Sequence, residues 1–323
     1  MKNVSKTLSL ALLVSLVNMS CENGIFGPKT DINDPNAAQG NLTVSITDAP
    51  IDNAEVKGAF VTITEVKIDG QVFNGFKGPK TVNVLELQNG NALNLGQSSV
   101  AADSYSKISF VLDSEKDAAS SGPGCYVLKS DGTKEKLEFS SGTQTEIEMK
   151  PQNFVISENG NTEIVVDFDL RKAIKSNNSD YSFVSKSELS AAVRAENKSN
   201  TGMIKGKVEN YGAVGSNVIV YVYKKGTFNQ SSEIKGQGSS DIKFANAVTS
   251  SKCDGSGNFT LAFLQQGEYE IYCDKPKSGS DLALGVNTLL EASSSTNLKA
   301  VGVGAGAQTN LSLSIKIGGL LGL

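Results

Sequence analysis

The stretch Gly40-Asn41-Leu42-Thr43-Val44-Ser45-Ile46-Thr47-Asp48-Ala49-Pro50 decides the fold. Leu42, Val44 and Ile46 alternate with Thr43, Ser45 and Thr47, the two-residue period of a strand with one buried face. Asp48-Ala49-Pro50 reads as the turn that ends it, because Asp bonds nearby backbone and Pro fixes φ. The period returns at Val61 and Ile63, at Ile108, Phe110 and Leu112, and at Ile164, Val166, Phe168 and Leu170. It continues at Val218, Val220 and Val222, at Phe259, Leu261 and Phe263, and at Leu311, Leu313 and Ile315. Asp69-Gly70, Asn89-Gly90, Asp131-Gly132, Asn159-Gly160 and Asp254-Gly255 punctuate these runs as tight turns. Many short strands with such punctuation predict an all-β chain of two β-sandwich domains in tandem. Helix is expected only over Arg171 to Lys175 and Leu282 to Ser293.

The polar run Glu196 to Gly202 divides the chain into a first domain over 40–195 and a second over 202–317. Upstream lies a different kind of sequence. Lys2 and Lys6 precede an apolar stretch, Leu8 to Val17. It is shorter than the roughly 20 residues a spanning helix needs, so residues 1–20 read as a removable secretory leader. Cys21 follows directly, and the arrangement resembles that of bacterial lipoproteins. Ser20 fits the pattern before a lipidated cysteine; Asn18 departs from it. The resemblance implies acyl chains on Cys21 and a membrane anchor outside the cytoplasm, on the periplasmic face of the outer membrane or at the cell surface. Residues 21–39 carry Gly24, Gly27, Pro28 and Pro35 without a period and read as a flexible tether.

Composition narrows the chemistry. The 323 residues contain no histidine, which excludes Ser-His-Asp and Cys-His catalysis and His-ligated metals. The net charge is −4, and two units more negative once Lys2 and Lys6 leave with the leader, which argues against a nucleic-acid partner. With Cys21 acylated, Cys125, Cys253 and Cys273 remain, and Cys253 with Cys273 is the better disulfide pair in an oxidising compartment. The alternative is three buried, inert thiols.

Ordered motifs connect the first domain to a family. Gly40 to Pro50, Val82 to Gly90, Leu93 to Gly96, Tyr105 to Leu112, Asp167-Phe168-Asp169, Ala173-Ile174 and Ala191 to Arg194 follow one another. Together they resemble the domain of unknown function 4382 family over about residues 40–195. That resemblance implies an exported β-rich domain and brings no established activity. In the second domain, Gly202 to Val208, Asp254-Gly255-Ser256-Gly257-Asn258-Phe259 and Gly267 to Ile271 resemble the carboxypeptidase regulatory-like, transthyretin-like sandwich over about 202–275. Such modules are usually structural or binding accessories.

Asp167 and Asp169 share one face of a strand and offer oxygen ligands to Ca²⁺, with Asp48 joining if it lies nearby. No other cofactor is expected. The preferred reading of these residues is plainer. Asp48 caps its own turn, while Asp167 and Asp169 sit on a solvated face or pair with Arg171 or Arg194. Tyr221 and Tyr223 are expected on the sandwich-facing side in preference to a glycan platform, and Gly302 to Gly306 reads as a turn before the last strand. The function expected is a non-catalytic binding or structural module at the cell envelope, in glycan or adhesive contacts. An accessory subunit of an envelope protein complex is second, and a carboxylate-dependent hydrolase third.

Overall fold

The computed structural model of the chain describes residues 30–49, 56–140, 142–177, 180–215, 217–275 and 289–316. The leader, Cys21 and the apolar end of the chain lie outside them. The first half supplies Gln39–Ala49 (β1), Val56–Ile68 (β2), Gln71–Val72 (β3), Lys80–Asn83 (β4), Leu93–Ala101 (β5), Ile108–Asp113 (β6) and Tyr126–Lys129 (β7). Lys134–Lys136 (β8), Gln144–Met149 (β9), Asn161–Asp169 (β10), Ile174–Asn177 (β11), Asp180–Phe183 (β12) and Val193–Asn197 (β13) follow, with two short helices, Leu170–Ala173 (α1) and Lys186–Ala191 (α2). One sheet has the order β13-β10-β1-β5. A second runs β8-β7-β2-β6-β9, with β3 and β4 also paired to β2, and β11 pairs with β12 as a separate hairpin. The inner stripes predicted from the sequence, Leu42-Val44-Ile46 and Ile164-Val166-Phe168, pack with Val61, Ile63, Phe110 and Leu112 in one core. Asp69 and Gly70 form the two-residue link between β2 and β3 with φ of 51° and 86°, the left-handed pair that matches strand twist and that glycine adopts without strain.

The second half contains Thr201–Val208 (β14), Ile219–Lys224 (β15), Thr249–Lys252 (β16), Asn258–Gln265 (β17), Gly267–Asp274 (β18), Ala292–Ser293 (β19), Val301–Val303 (β20) and Gln308–Ile315 (β21). Tyr211–Val214 (α3) and Gln230–Glu233 (α4) are its helices. Two four-stranded sheets, β17-β14-β21-β19 and β16-β15-β18-β20, enclose Val220, Val222, Leu261, Ile271, Leu311 and Leu313. The fold is all-β, built as sandwiches. In each half the opening strand runs parallel to a late one, β1 beside β10 and β14 beside β21. From Asp31 onward the chain forms one compact unit.

Several expectations change. Residues 31–38 are not a free tether: Ile32 is fully buried in the first core, and Ala101 N–H donates to its carbonyl. The polar run at 196–202 is no extended linker either. β13 continues to Asn197 and β14 begins at Thr201, with a single 3-10 turn between them. Helix α1 stops at Ala173 because Ile174 enters β11, and the described end of the second expected helix is extended, with Leu290 bridging Cys273 and Ala292–Ser293 in β19. Gly302 lies within β20, so the glycine-rich turn is confined to the residues just after it.

Tyr221 and Tyr223 face away from the sandwich. Their neighbours Val220 and Val222 fill the core, while the tyrosines pack under residues 227–247 with Phe228, Ile234, Phe244 and Ala247. The Cys253–Cys273 disulfide is also corrected. Cys273 pairs beside Val220 across the β15–β18 ladder, and Cys253 N–H donates to Val218 carbonyl on the other edge of β15. With strands about 4.8 Å apart, the intervening β15 holds the two Cα atoms roughly 10 Å from each other, beyond the ~7 Å reach of a disulfide. Both are free, buried thiols, as is Cys125.

Candidate functional site at the seam between the sandwiches

The outward face of β10 carries Glu163, Val165, Asp167 and Asp169, opposite the core stripe. In isolation this would be a solvated face. Here the second half covers it: Val165 packs with Ala262, Phe263 and Met203. Asp167 is therefore 4 % exposed and Asp169 6 % exposed, and both need partners.

Cross-strand register supplies the first partner. Arg194 on β13 stands directly opposite Asp167. Its Nε and Nη2 both donate to Asp167 Oδ2, at 3.0 and 2.7 Å. Nη1 donates to Glu196 Oε1 at 3.4 Å and to the Phe263 carbonyl at 2.6 Å. Nη2 also reaches the Ala262 carbonyl at 3.4 Å. A bulge makes those carbonyls available: the β14–β17 register shifts between Gly202 and Ile204, and Phe263 takes a φ of 53°. One guanidinium thus joins two carboxylates of the first half to two carbonyls of the second. Burial works against the Arg194 charge, but Asp167 and Glu196 outweigh it and hold its pKa above the ordinary value.

Asp169 caps α1 by accepting from Arg171 N–H. Arg171 also donates from Nε to Oδ1 at 3.2 Å and from Nη2 to Oδ2 at 2.9 Å, with Lys172 Nζ 3.3 Å from Oδ2. Burial pushes the Asp169 carboxyl up, but Arg171 and Lys172 overcome it and hold the group below the usual carboxylate range. Both cations also reach across the seam. The Arg171 guanidinium lies 5.2 Å from the centre of the Tyr221 ring, and Lys172 Nζ donates to the Ala247 carbonyl at 3.0 Å.

Asp48 behaves differently. It is level with Phe168 in the parallel ladder, so it lies on the core side, whereas Asp167 is level with Thr47 on the seam side. Its Oδ1 accepts from Leu170 N–H at 3.4 Å, across to β10 and not within its own turn, and its Oδ2 has no hydrogen-bond partner among the described residues. Burial pushes its carboxyl well above the usual range, and the charges of Asp167 and Asp169 add to the rise. The Ca²⁺ set of Asp48, Asp167 and Asp169 does not form. Two of its members point to different faces, and Arg171 holds both oxygens of the third. Among the described residues no three Asp, Glu, His or Cys side chains converge to hold a metal ion.

The Asn89-Gly90 turn closes one side of the seam. Asn89 Oδ1 accepts from Ser251 Oγ at 2.6 Å. A side chain at Gly90 would stand 3.2 Å from Ala262 Cβ and would need a φ of +84°. A cavity of about 10 Å³, the room of one water molecule, is lined there by Asn89, Gly90, Asp167 and Ser250, among others. On the other side lies an open cleft of about 260 Å³ lined by Lys172, Arg194, Glu196, Lys224, Gln265 and Tyr269, among others. Glu196 is held in it from both sides: Oε1 faces Arg194, and Oε2 accepts from Gln265 Nε2 at 2.9 Å. Lys224 Nζ donates to Gln265 Oε1 at 3.3 Å and makes no ion pair among the described residues. The sequence pointed to Asp167, Asp169, Arg171 and Arg194. It did not point to Glu196, Lys224 or Gln265, which come together only when the halves meet.

Among the described residues no helix is long and apolar enough to cross a membrane. A search among curated proteins finds no match. Solved structures similar to this chain include the TIE protein of Bacillus anthracis, 12% identical over 86% of this chain and 34% of that one, with a TM-score of 0.19. They also include GBS52, the minor pilin of Streptococcus agalactiae, 10% identical over 87% of this chain and 98% of that one, TM-score 0.21. BcpA, the major pilin subunit of Bacillus cereus, is 11% identical over 87% and 71%, TM-score 0.21. The chain spans about a third of the TIE protein's length. At such scores the likeness fixes neither function nor detailed topology. Residues 39–185, the first sandwich through α1 and the β11–β12 hairpin, match the family described as Domain of unknown function (DUF4382).

Proposed function

We propose that this protein is an exported lipoprotein, anchored through Cys21, that serves as a non-catalytic binding or structural module at the cell envelope, in contact with glycans or adhesive ligands. The seam is the observation that carries this reading. Its acids are the residues best placed for chemistry, and Asp167, Asp169 and Glu196 are each held by a cation that also joins the two halves. Such an arrangement supports rigidity rather than proton transfer, which needs a carboxyl within reach of substrate. The absence of histidine points the same way. The polar cleft beside the seam, with hydrogen-bonding groups from both halves, is the natural place for a small polar ligand.

A glycan array probed with the full chain tests the binding reading, and binding to no glycan counts against it. Cross-linking in intact cells that repeatedly recovers one protein partner would favour the accessory-subunit reading instead. For the anchor, cells fed a fatty-acid analogue should label the wild type and not Cys21→Ala; label persisting in the variant would rule the anchor out. Turnover of a glycan or peptide by the purified chain would overturn the non-catalytic reading.

A further inference from the structure

From the lining of the seam cleft we infer that its ligand is a carboxylate-bearing saccharide of the uronic-acid class, held by the ammonium groups of Lys224 and Lys172. The saccharide part rests on the glycan reading above; the carboxylate part rests on the cleft itself. The cleft gathers Lys172, Arg194 and Lys224 on a chain whose net charge is negative. Its single acidic lining residue, Glu196, is buried and has both oxygens engaged, one by Arg194 and the other by Gln265. Arg194 is likewise taken up by Asp167, Glu196 and two carbonyls.

Donor capacity remains on the lysines. An ammonium carries three N–H groups. Among the described residues Lys172 uses two, toward Asp169 and the Ala247 carbonyl, and Lys224 uses one, toward Gln265. The cleft therefore offers spare charged donors, on the exposed Lys224 above all, while its one carboxylate is buried and engaged at both oxygens. An anionic acceptor satisfies that set, and a neutral sugar leaves the Lys224 charge unmatched. The two lysines come from different halves, so a ligand carboxylate between them also holds the seam closed.

Titration calorimetry of the full chain with trigalacturonate, its methyl ester and maltotriose tests the inference. Trigalacturonate should bind, and the ester and maltotriose at least about tenfold more weakly, since each lacks the charge-assisted contact. Lys224 is exposed and makes no ion pair among the described residues, so Lys224→Met should keep the melting temperature and lower trigalacturonate affinity by about tenfold. Equal binding of acid and ester, unchanged affinity in Lys224→Met, or no binding of any of the three would overturn the inference. Triglutamate binding as tightly as trigalacturonate would overturn the saccharide part. A neutral glycan bound on the array, with no preference for acid, would leave the glycan reading standing and remove this one.

Discussion

Asp169 in the first half and Glu233 in the second are both buried acids held below the usual carboxylate range, by different means. Burial pushes each one up. Cations reverse this at Asp169, where Arg171 and Lys172 bring opposite charge. Neutral donors reverse it at Glu233: Tyr223 Oη donates to Oε2 at 2.6 Å, Asn246 N–H at 3.1 Å, and the Asn246 and Gln237 amides reach Oε1. Among the described residues the side-chain partners of Glu233 lie within residues 223–246, so that network pins one insertion onto its own sheet. The partners of Asp167 and Asp169 extend to Phe263, Ala247 and Tyr221 in the other half. Charge is used where separate sandwiches must mate, and neutral hydrogen bonding where a loop folds back on itself.

Removing Arg194 should break this contrast most severely. Arg194→Ala leaves Asp167 and Glu196 without their cation and removes its hydrogen bonds to two carbonyls, which costs about 3–5 kcal/mol for a buried pair broken on one side. Urea denaturation should show it, and a loss under ~1 kcal/mol would mean that the seam contributes little. The second-half network should respond less and more locally. Glu233→Ala is expected to cost about 2 kcal/mol and to open residues 227–247 to trypsin at Lys235 and Lys243, while strands β14 and β21 stay protected from hydrogen exchange. Loss of protection throughout would show that the insertion is no separate unit.

Asp48 sharpens the comparison, since neither device suffices there: one long hydrogen bond from Leu170 N–H and the charge of Arg171 are outweighed by burial and the neighbouring acids. It holds its proton more tightly folded than unfolded. The stability this gives is complete below the unfolded carboxylate value near about pH 3.9 and is lost as pH rises through the raised folded value. Asp48→Asn keeps a neutral side chain and escapes that loss. The variant should therefore gain on wild type from about pH 4 upward, by up to about 1.4 kcal/mol per pH unit, in urea titrations between pH 4 and 8. A difference that stays flat over that range would contradict the burial of a carboxyl with one oxygen unbonded among the described residues. The smallest effect concerns the thiols. Burial raises the Cys125 and Cys253 thiols to about 12 and pushes Cys273 up as well. Peptide mapping without reductant should find all three alkylated only after unfolding, and dithiothreitol should leave the melting temperature unchanged.

The strands were legible because alternation is a local signal. Leu42 to Ile46 and Ile164 to Phe168 sit in the core as their period requires, and Asp69-Gly70 turns where its chemistry demands. Helix α2 has a local signal too: Ser185 and Glu188 are spaced as a capping box and form one. The seam was only half legible. Periodicity places Asp167 and Asp169 on the outer face of β10, and no local pattern tells whether water or another sandwich covers that face. The same gap applies to Tyr221 and Tyr223, since alternation separates two faces without saying which one an insertion will bury. The spacing of Cys253 and Cys273 says nothing of the strand between them, and the parallel pairing of β1 with β10 depends on contacts more than a hundred residues apart.

Differential scanning calorimetry of the full chain tests most directly the claim that the charged seam makes two sandwiches one unit. The account predicts a single transition whose calorimetric and van't Hoff enthalpies agree, and two separable transitions in Arg194→Ala. Two transitions in the wild type, or one undivided transition in the variant, would contradict it.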